Sequence, residues 1–180
     1  MRKLLAMAVM TFALAPVPAL ADGFVVPFGG ANSGGDIGNG SRGAYGVALG
    51  AMGGGVVGIE LDFGVSPNFF PRTATVSSTN VTTTMGNLIV GVPLGSVRPY
   101  VSGGVGLIKA RVGSAGDLLR FSSNDFGTNV GSGLMAFFNP HVGLRGDVRV
   151  FRDLKDRGPD GLDPGSFHSW RGTVGVTFRF

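Results

Sequence analysis

Apolar and polar residues alternate one for one along three stretches of this chain. In 57–65, Val57, Ile59, Leu61, Phe63 and Val65 share one parity, and Gly58, Glu60, Asp62 and Gly64 the other. In 142–150, Val142, Leu144, Gly146, Val148 and Val150 oppose Gly143, Arg145, Asp147 and Arg149. In 170–180, Trp170, Gly172, Val174, Val176, Phe178 and Phe180 oppose Arg171, Thr173, Gly175, Thr177 and Arg179. Successive side chains of a strand point to opposite faces, so each stretch predicts a strand with one apolar and one polar face. Five weaker stretches read the same way: 24–30, 44–51, 81–92, 98–110 and 126–137. Tyr45, Val47 and Leu49 share a face of the second. Leu88, Val90 and Val92 lie opposite Met85 and Asn87. Val101, Val105 and Leu107 lie opposite Ser102, Gly104 and Gly106. Phe126, Val130 and Leu134 lie opposite Asn129, Gly131 and Gly133.

The connections between these eight strands also alternate. Polar loops are predicted at 31–43, 66–80, 111–124 and 152–166, and short turns at 52–55, 93–96 and 138–140. An even number of strands, with long loops at one end and short turns at the other, is the pattern of an outer-membrane barrel. Helix is disfavoured: Gly, Val, Thr, Phe and Ser dominate the body of the chain, and Glu occurs once.

The N-terminus differs in kind. Arg2 and Lys3 precede an apolar run over 4–15, Pro16 and Pro18 break it, and Ala19-Leu20-Ala21 presents small residues for cleavage. This predicts a secretory signal peptide over 1–21, leaving a barrel domain at 22–180. The run is too short to span a bilayer, and no later apolar stretch is long enough to be a transmembrane helix. Removal of Arg2 and Lys3 would lower the net charge from +4 to +2.

Composition narrows the classes. With 33 glycines in 180 residues, 14% charged residues and a mean hydropathy of +0.30, the chain is too apolar for disorder. The absence of Cys excludes disulfides, thiolate metal sites and a lipoprotein anchor. The pI near 10.1 reflects a small excess of Arg with no basic run, so nucleic acid is not an expected partner.

The polarity of the two faces carries the rest. Glu60, Asp62, Arg145, Asp147, Arg149, Arg171 and Arg179 all sit opposite the large apolar side chains. Parity alone does not say which face is inside. The signal peptide, the hydropathy and the scarcity of charge favour apolar residues toward lipid, and a closed barrel leaves no unpaired edge in hydrocarbon. Aromatics near strand ends would then form interfacial girdles: Phe69, Phe70, Phe126 and Trp170 at the loop end, and Phe24, Phe137, Phe138, Phe178 and Phe180 at the turn end.

On these residues the chain resembles the small OmpA/OmpX-type outer-membrane β-barrels of Gram-negative bacteria. The resemblance implies an all-β, eight-stranded, antiparallel up-and-down transmembrane barrel with both termini on the periplasmic side. It also implies that Val176, Phe178 and Phe180, on the last strand, form the signal read by the barrel-assembly machinery. The other expected partner is outer-membrane lipid, and no surface ligand is readable. Some members of the family continue into a peptidoglycan-binding domain, a function not expected of a chain ending at Phe180.

Six of the inward charges form the candidate site. Glu60 and Asp62 lie on the third strand, Arg145, Asp147 and Arg149 on the seventh, and Arg171 on the eighth. Strands three and seven face each other across an eight-strand ring, and three acids match three bases, as burial requires. A plug of ion pairs fits an eight-strand barrel, whose interior is just filled by side chains. Small residues on the inward parity leave room either for long Arg side chains or for water, so a narrow channel is the alternative. A lipid-modifying enzyme is a third reading, with His168 and Ser169 as its candidates. Adjacent strand residues point to opposite faces, which argues against that dyad and places His168 beside Trp170 in the outer girdle. Asp153, Asp156, Asp160 and Asp163 in the last loop lack the spacing of a calcium loop. Arg145-Gly146-Asp147 resembles an adhesion tripeptide but lies mid-strand with its charges inward. No catalytic residue, metal or cofactor is expected.

Overall fold

Each alternating stretch is a strand in the computed structural model, which describes residues 21–33, 41–67, 76–114, 120–153 and 168–180. The strands are β1 (Ala21–Ser33), β2 (Arg42–Gly53), β3 (Val57–Pro67), β4 (Val76–Gly91), β5 (Val97–Ser114), β6 (Arg120–Phe137), β7 (Val142–Asp153) and β8 (His168–Arg179). Each pairs antiparallel with the next, and β8 pairs with β1 to close a barrel. Residues 1–20 of the expected signal peptide and the middles of the four long loops lie outside the described residues, while Ala21, its expected last residue, begins β1.

Short turns join the strands at one end. Between β2 and β3, Val56 N donates to Gly53 O at 3.0 Å, with Gly54 and Gly55 at φ of +56° and +72°. Positive φ at both central positions matches the twist of a two-residue hairpin, and Gly adopts it without a side-chain clash.

The apolar parity faces outward. Ile59, Leu61, Val105, Val130 and Val174 are each at least half exposed, whereas the six candidate charges are 6% exposed or less. On β5 the outward apolar row runs from Val97 to Leu107, and the next outward residue is Lys109, paired across to Thr82 and Asn124. That is a span of about 11 residues, the length a tilted strand needs to cross hydrocarbon. The outward rows 57–65 on β3 and 142–150 on β7 are of similar length.

Three strands run past this band. β5 and β6 have 18 residues each. At roughly 3.4 Å per residue and about 45° of tilt they would rise about 43 Å, against an apolar band of about 25 Å. The described pairing of β3 with β4 reaches Pro67–Asn80, and that of β7 with β6 reaches Asp153–Gly127. Beyond those rows β4, β5 and β6 continue together as far as Val76–Ser114 and Gly113–Arg120. Among the described residues, the wall therefore extends at the loop end as a three-stranded fin. This corrects the loops predicted at 66–80 and 111–124: residues 76–80, 111–114 and 120–124 are strand. Strand likewise covers 31–33 and 42–43, and residues 152–153. Ser, Thr and Asn above the membrane pair as well as apolar residues do, but they leave no hydropathic alternation to read.

Inside, Phe24, Val26, Ala48, Met52, Ile89, Tyr100 and Met135 form an apolar cluster in the turn-end half, with Phe28 and Phe137 packed against it. Two girdle assignments are thereby corrected. Phe24 is 4% exposed and points inward, sharing parity with Val26 and Phe28. Phe137 shares the inward parity of Met135. Phe126, Trp170, Phe138, Phe178 and Phe180 face outward, while Phe69 and Phe70 lie outside the described residues.

Candidate functional site

Alternation on β3, β7 and β8 delivers all six predicted charges to one interior, and the structure brings them into contact. Glu60 accepts from two arginines of β7. Its Oε2 pairs with Arg145 Nη1, and its Oε1 takes Arg149 Nη2 at 2.6 Å. Arg149 Nε donates to Asp147 Oδ1 at 2.6 Å, and Arg145 Nη2 lies 3.3 Å from Asp147 Oδ2. β3 and β7 stand on opposite sides of the ring, so these bonds cross the lumen.

The second group lies toward the loops. Arg171 Nη2 is 2.7 Å from both oxygens of Asp62, and its Nη1 reaches Thr83 Oγ1 at 3.3 Å. Its guanidinium lies 5.0 Å from the ring centre of Phe28 and 4.8 Å from that of Phe151. Arg149 Nη1 links the groups, 3.6 Å from Asp62 Oδ2 and with no hydrogen bond.

Neutral side chains missed in the sequence complete the lattice. Tyr100 hydroxyl donates to Asp147 Oδ2 at 2.5 Å and accepts from Arg145 Nε at 2.6 Å. Asn87 Nδ2 donates to Glu60 Oε1 at 3.0 Å, and Asn129 Nδ2 to Asn87 Oδ1 at 2.7 Å. Tyr100 was legible: it lies two residues before Ser102, on the same inward parity. Asn32 Nδ2 donates to Ser66 Oγ at 2.6 Å beside the loop end.

Space for these long side chains comes from glycine. A Cβ on Gly131 would lie 2.6 Å from Arg149 Cγ, and one on Gly64 2.5 Å from Arg171 Nη1. Among Asp62, Arg145, Asp147, Arg149 and Thr173 lies a cavity of about 10 Å³, room for about one water molecule.

The outer membrane protein beta-barrel domain matches residues 4–180. The chain belongs to this family. It is an integral protein of the outer membrane. No curated protein matches the sequence. Among solved structures the chain is similar to Neisserial surface protein A, at 16% identity and a TM-score of 0.62, covering 90% of this chain and 98% of that one. It is also similar to the N-terminal β-barrel domain of Pseudomonas aeruginosa OprF, at 17% and 0.59, covering 88% and 97%. OprG of the same organism stands at 14% and 0.63, covering 89% and 96%. At these identities the likeness is one of fold.

In this family member the three residues of the expected assembly signal share the lipid-facing side of β8. Val176, Phe178 and Phe180 are 37%, 46% and 78% exposed. Phe180 and Gly23 exchange backbone hydrogen bonds of 3.0 Å in both directions, tying the last residue to β1. Ser169 points inward and is buried, while the His168 side chain lies outside the described residues, as do the Asp156, Asp160 and Asp163 positions. Arg145 and Asp147 are buried, so their tripeptide is not displayed.

Proposed function

We propose that this protein is a closed, non-conducting outer-membrane barrel, plugged by its own charge network, that works through the surface it presents at the loop end. The observation carrying this reading is the lattice of Glu60, Arg145, Asp147 and Arg149, which spans the lumen from β3 to β7 and lines a cavity of about 10 Å³. Met52, Ile89 and Met135, each 1% exposed or less, add an apolar layer at the turn end. Charge on one side and dry packing on the other obstruct an ion for different reasons, and both would have to move for current to pass.

The fin supports the outward-acting half of the reading. Its rows lie beyond Lys109, where the apolar band ends, and outer-membrane barrels keep short turns in the periplasm and long loops outside. That one structural neighbour is named as a surface protein agrees with this reading.

Planar-bilayer recording on refolded protein tests it. The wild type is expected to give no reproducible unitary current, and such currents would establish the channel reading instead. The Arg145→Ala/Arg149→Ala variant is expected to conduct or to unfold more readily. A variant unchanged in both properties would refute the plug.

A further inference from the structure

Below the apolar layer, at the turn-end mouth, lies a second cationic group that the lumen network does not use. Arg98, near the start of β5, points inward and is 8% exposed. No Asp or Glu among the described residues lies within ion-pair distance of it, and its Nε is buried without a partner. Its one hydrogen-bond contact is a weak one, Nη1 to Met52 Sδ at 3.8 Å. It is held by shape instead. The guanidinium lies 5.4 Å from the ring centre of Phe137, and a Cβ on Gly55 would stand 2.5 Å from its Cζ and Nη2. A second guanidinium, that of Arg179, lies 4.6 Å from the same ring. Arg179 Nε donates to Pro140 O at 2.7 Å, and its Nη1 is 3.6 Å from Asp22 Oδ2. His141 sits at the edge of the group, with Nδ1 3.2 Å from Arg179 O.

The contrast with the lumen is the point. There three acids answer three arginines. Here two arginines share one ring, and among the described residues their one ion-pair contact with an acidic side chain is the long one from Arg179 to a half-exposed Asp22. A buried cation is normally paired, because desolvation without a counter-charge is costly. Arg98 is also held in position before any anion arrives, which lowers the ordering cost of binding one. Guanidinium donors match oxyanions in geometry.

We propose that Arg98 and Arg179 form an oxyanion site at the turn-end mouth, fitted to a phosphate group entering from the side of the short turns. Lipid headgroups and soluble phosphates share that chemistry. The inward direction of Arg98 favours the soluble form.

The test follows the Arg98 side-chain Nε–H resonance by NMR in full-length protein folded in a phosphate-free maltoside detergent. Inorganic phosphate is titrated against chloride at matched ionic strength. A saturable shift of Arg98 is expected, roughly tenfold weaker in binding for Arg179→Gln, the scale of losing one charged contact, and in Arg98→Gln the Arg179 Nε–H resonance, followed instead, is expected to show the same weakening. Asp22→Asn removes the one competing carboxylate and is expected to tighten binding. It leaves Arg98 in place, so it keeps the test valid if Arg98→Gln fails to fold. With no free phosphate, an Arg98 resonance in phosphatidylglycerol nanodiscs at the position it takes when phosphate is bound in maltoside would assign the site to lipid. A shift with free phosphate alone assigns it to a soluble anion. Equal responses to phosphate and chloride, or an affinity unchanged by Asp22→Asn and Arg179→Gln, would overturn the proposal.

Discussion

Arg149 is paired with three carboxylates of the lumen at once, Glu60, Asp147 and Asp62, and is only 1% exposed. Its value lies less in added stability than in what its loss would leave behind. An ion pair buried this deeply roughly balances desolvation against attraction, but removing one partner strands the others without water. Arg149→Leu is therefore expected to destabilise the barrel by about 3–5 kcal/mol, read from the urea midpoint in micelles. Adding Glu60→Gln removes a stranded charge and should recover part of that loss, so the two changes will be non-additive. Simple additivity of the two would show that Arg149 and Glu60 do not depend on each other. Both residues were visible in the sequence as charges on the polar parity of clean strands. Tyr100 and Arg98 were equally regular in parity, but each lies in a weaker stretch where no second charge draws attention to the inward face.

At the scale of the strand, alternation was readable where both faces were well marked. β3, β7 and β8 carry large apolar residues on one parity and charge or glycine on the other. β1 does not: Gly29 and Ala31 share the outward parity of Val25, while Phe24, Val26 and Phe28 fill the lumen. Aromatics near a strand end read as a girdle unless their parity is followed through the strand, and Phe24 and Phe137 show the cost of not doing so. The fin escaped notice for the reason that makes it a fin, since its residues need no apolar face. These rows set a depth scale that is testable on adjacent strands. Val101→Arg, mid-band on β5, is expected to cost about 2–4 kcal/mol of folding stability in bilayers. Thr82→Arg, level with Lys109 on β4, should cost about 0–1 kcal/mol. Equal penalties would mean that the band does not end at the Thr82–Lys109 row.

For the whole molecule, the decisive quantity is orientation, because the same barrel inserted the other way would bury its fin and loops in the periplasm. The two ends differ in build. At one, three short turns and the Gly23–Phe180 pairing keep the backbone close to the membrane face. At the other, β4, β5 and β6 rise beyond the apolar band with polar side chains such as Lys109 and Asn80 at its margin. Assembly from the periplasm must carry one end across the bilayer, and the family pattern has the long loops crossing. The chain has no Cys, so single cysteines report position without background. Ser114→Cys, at the end of β5, is expected to react on intact cells with a maleimide polymer too large for porins. Ser96→Cys, exposed in the β4–β5 turn, should react only after the outer membrane is disrupted. The opposite pattern would turn the anion site outward and the fin inward. It would remove the surface role while leaving the plugged lumen untouched, so the two halves of the functional reading stand or fall on separate measurements.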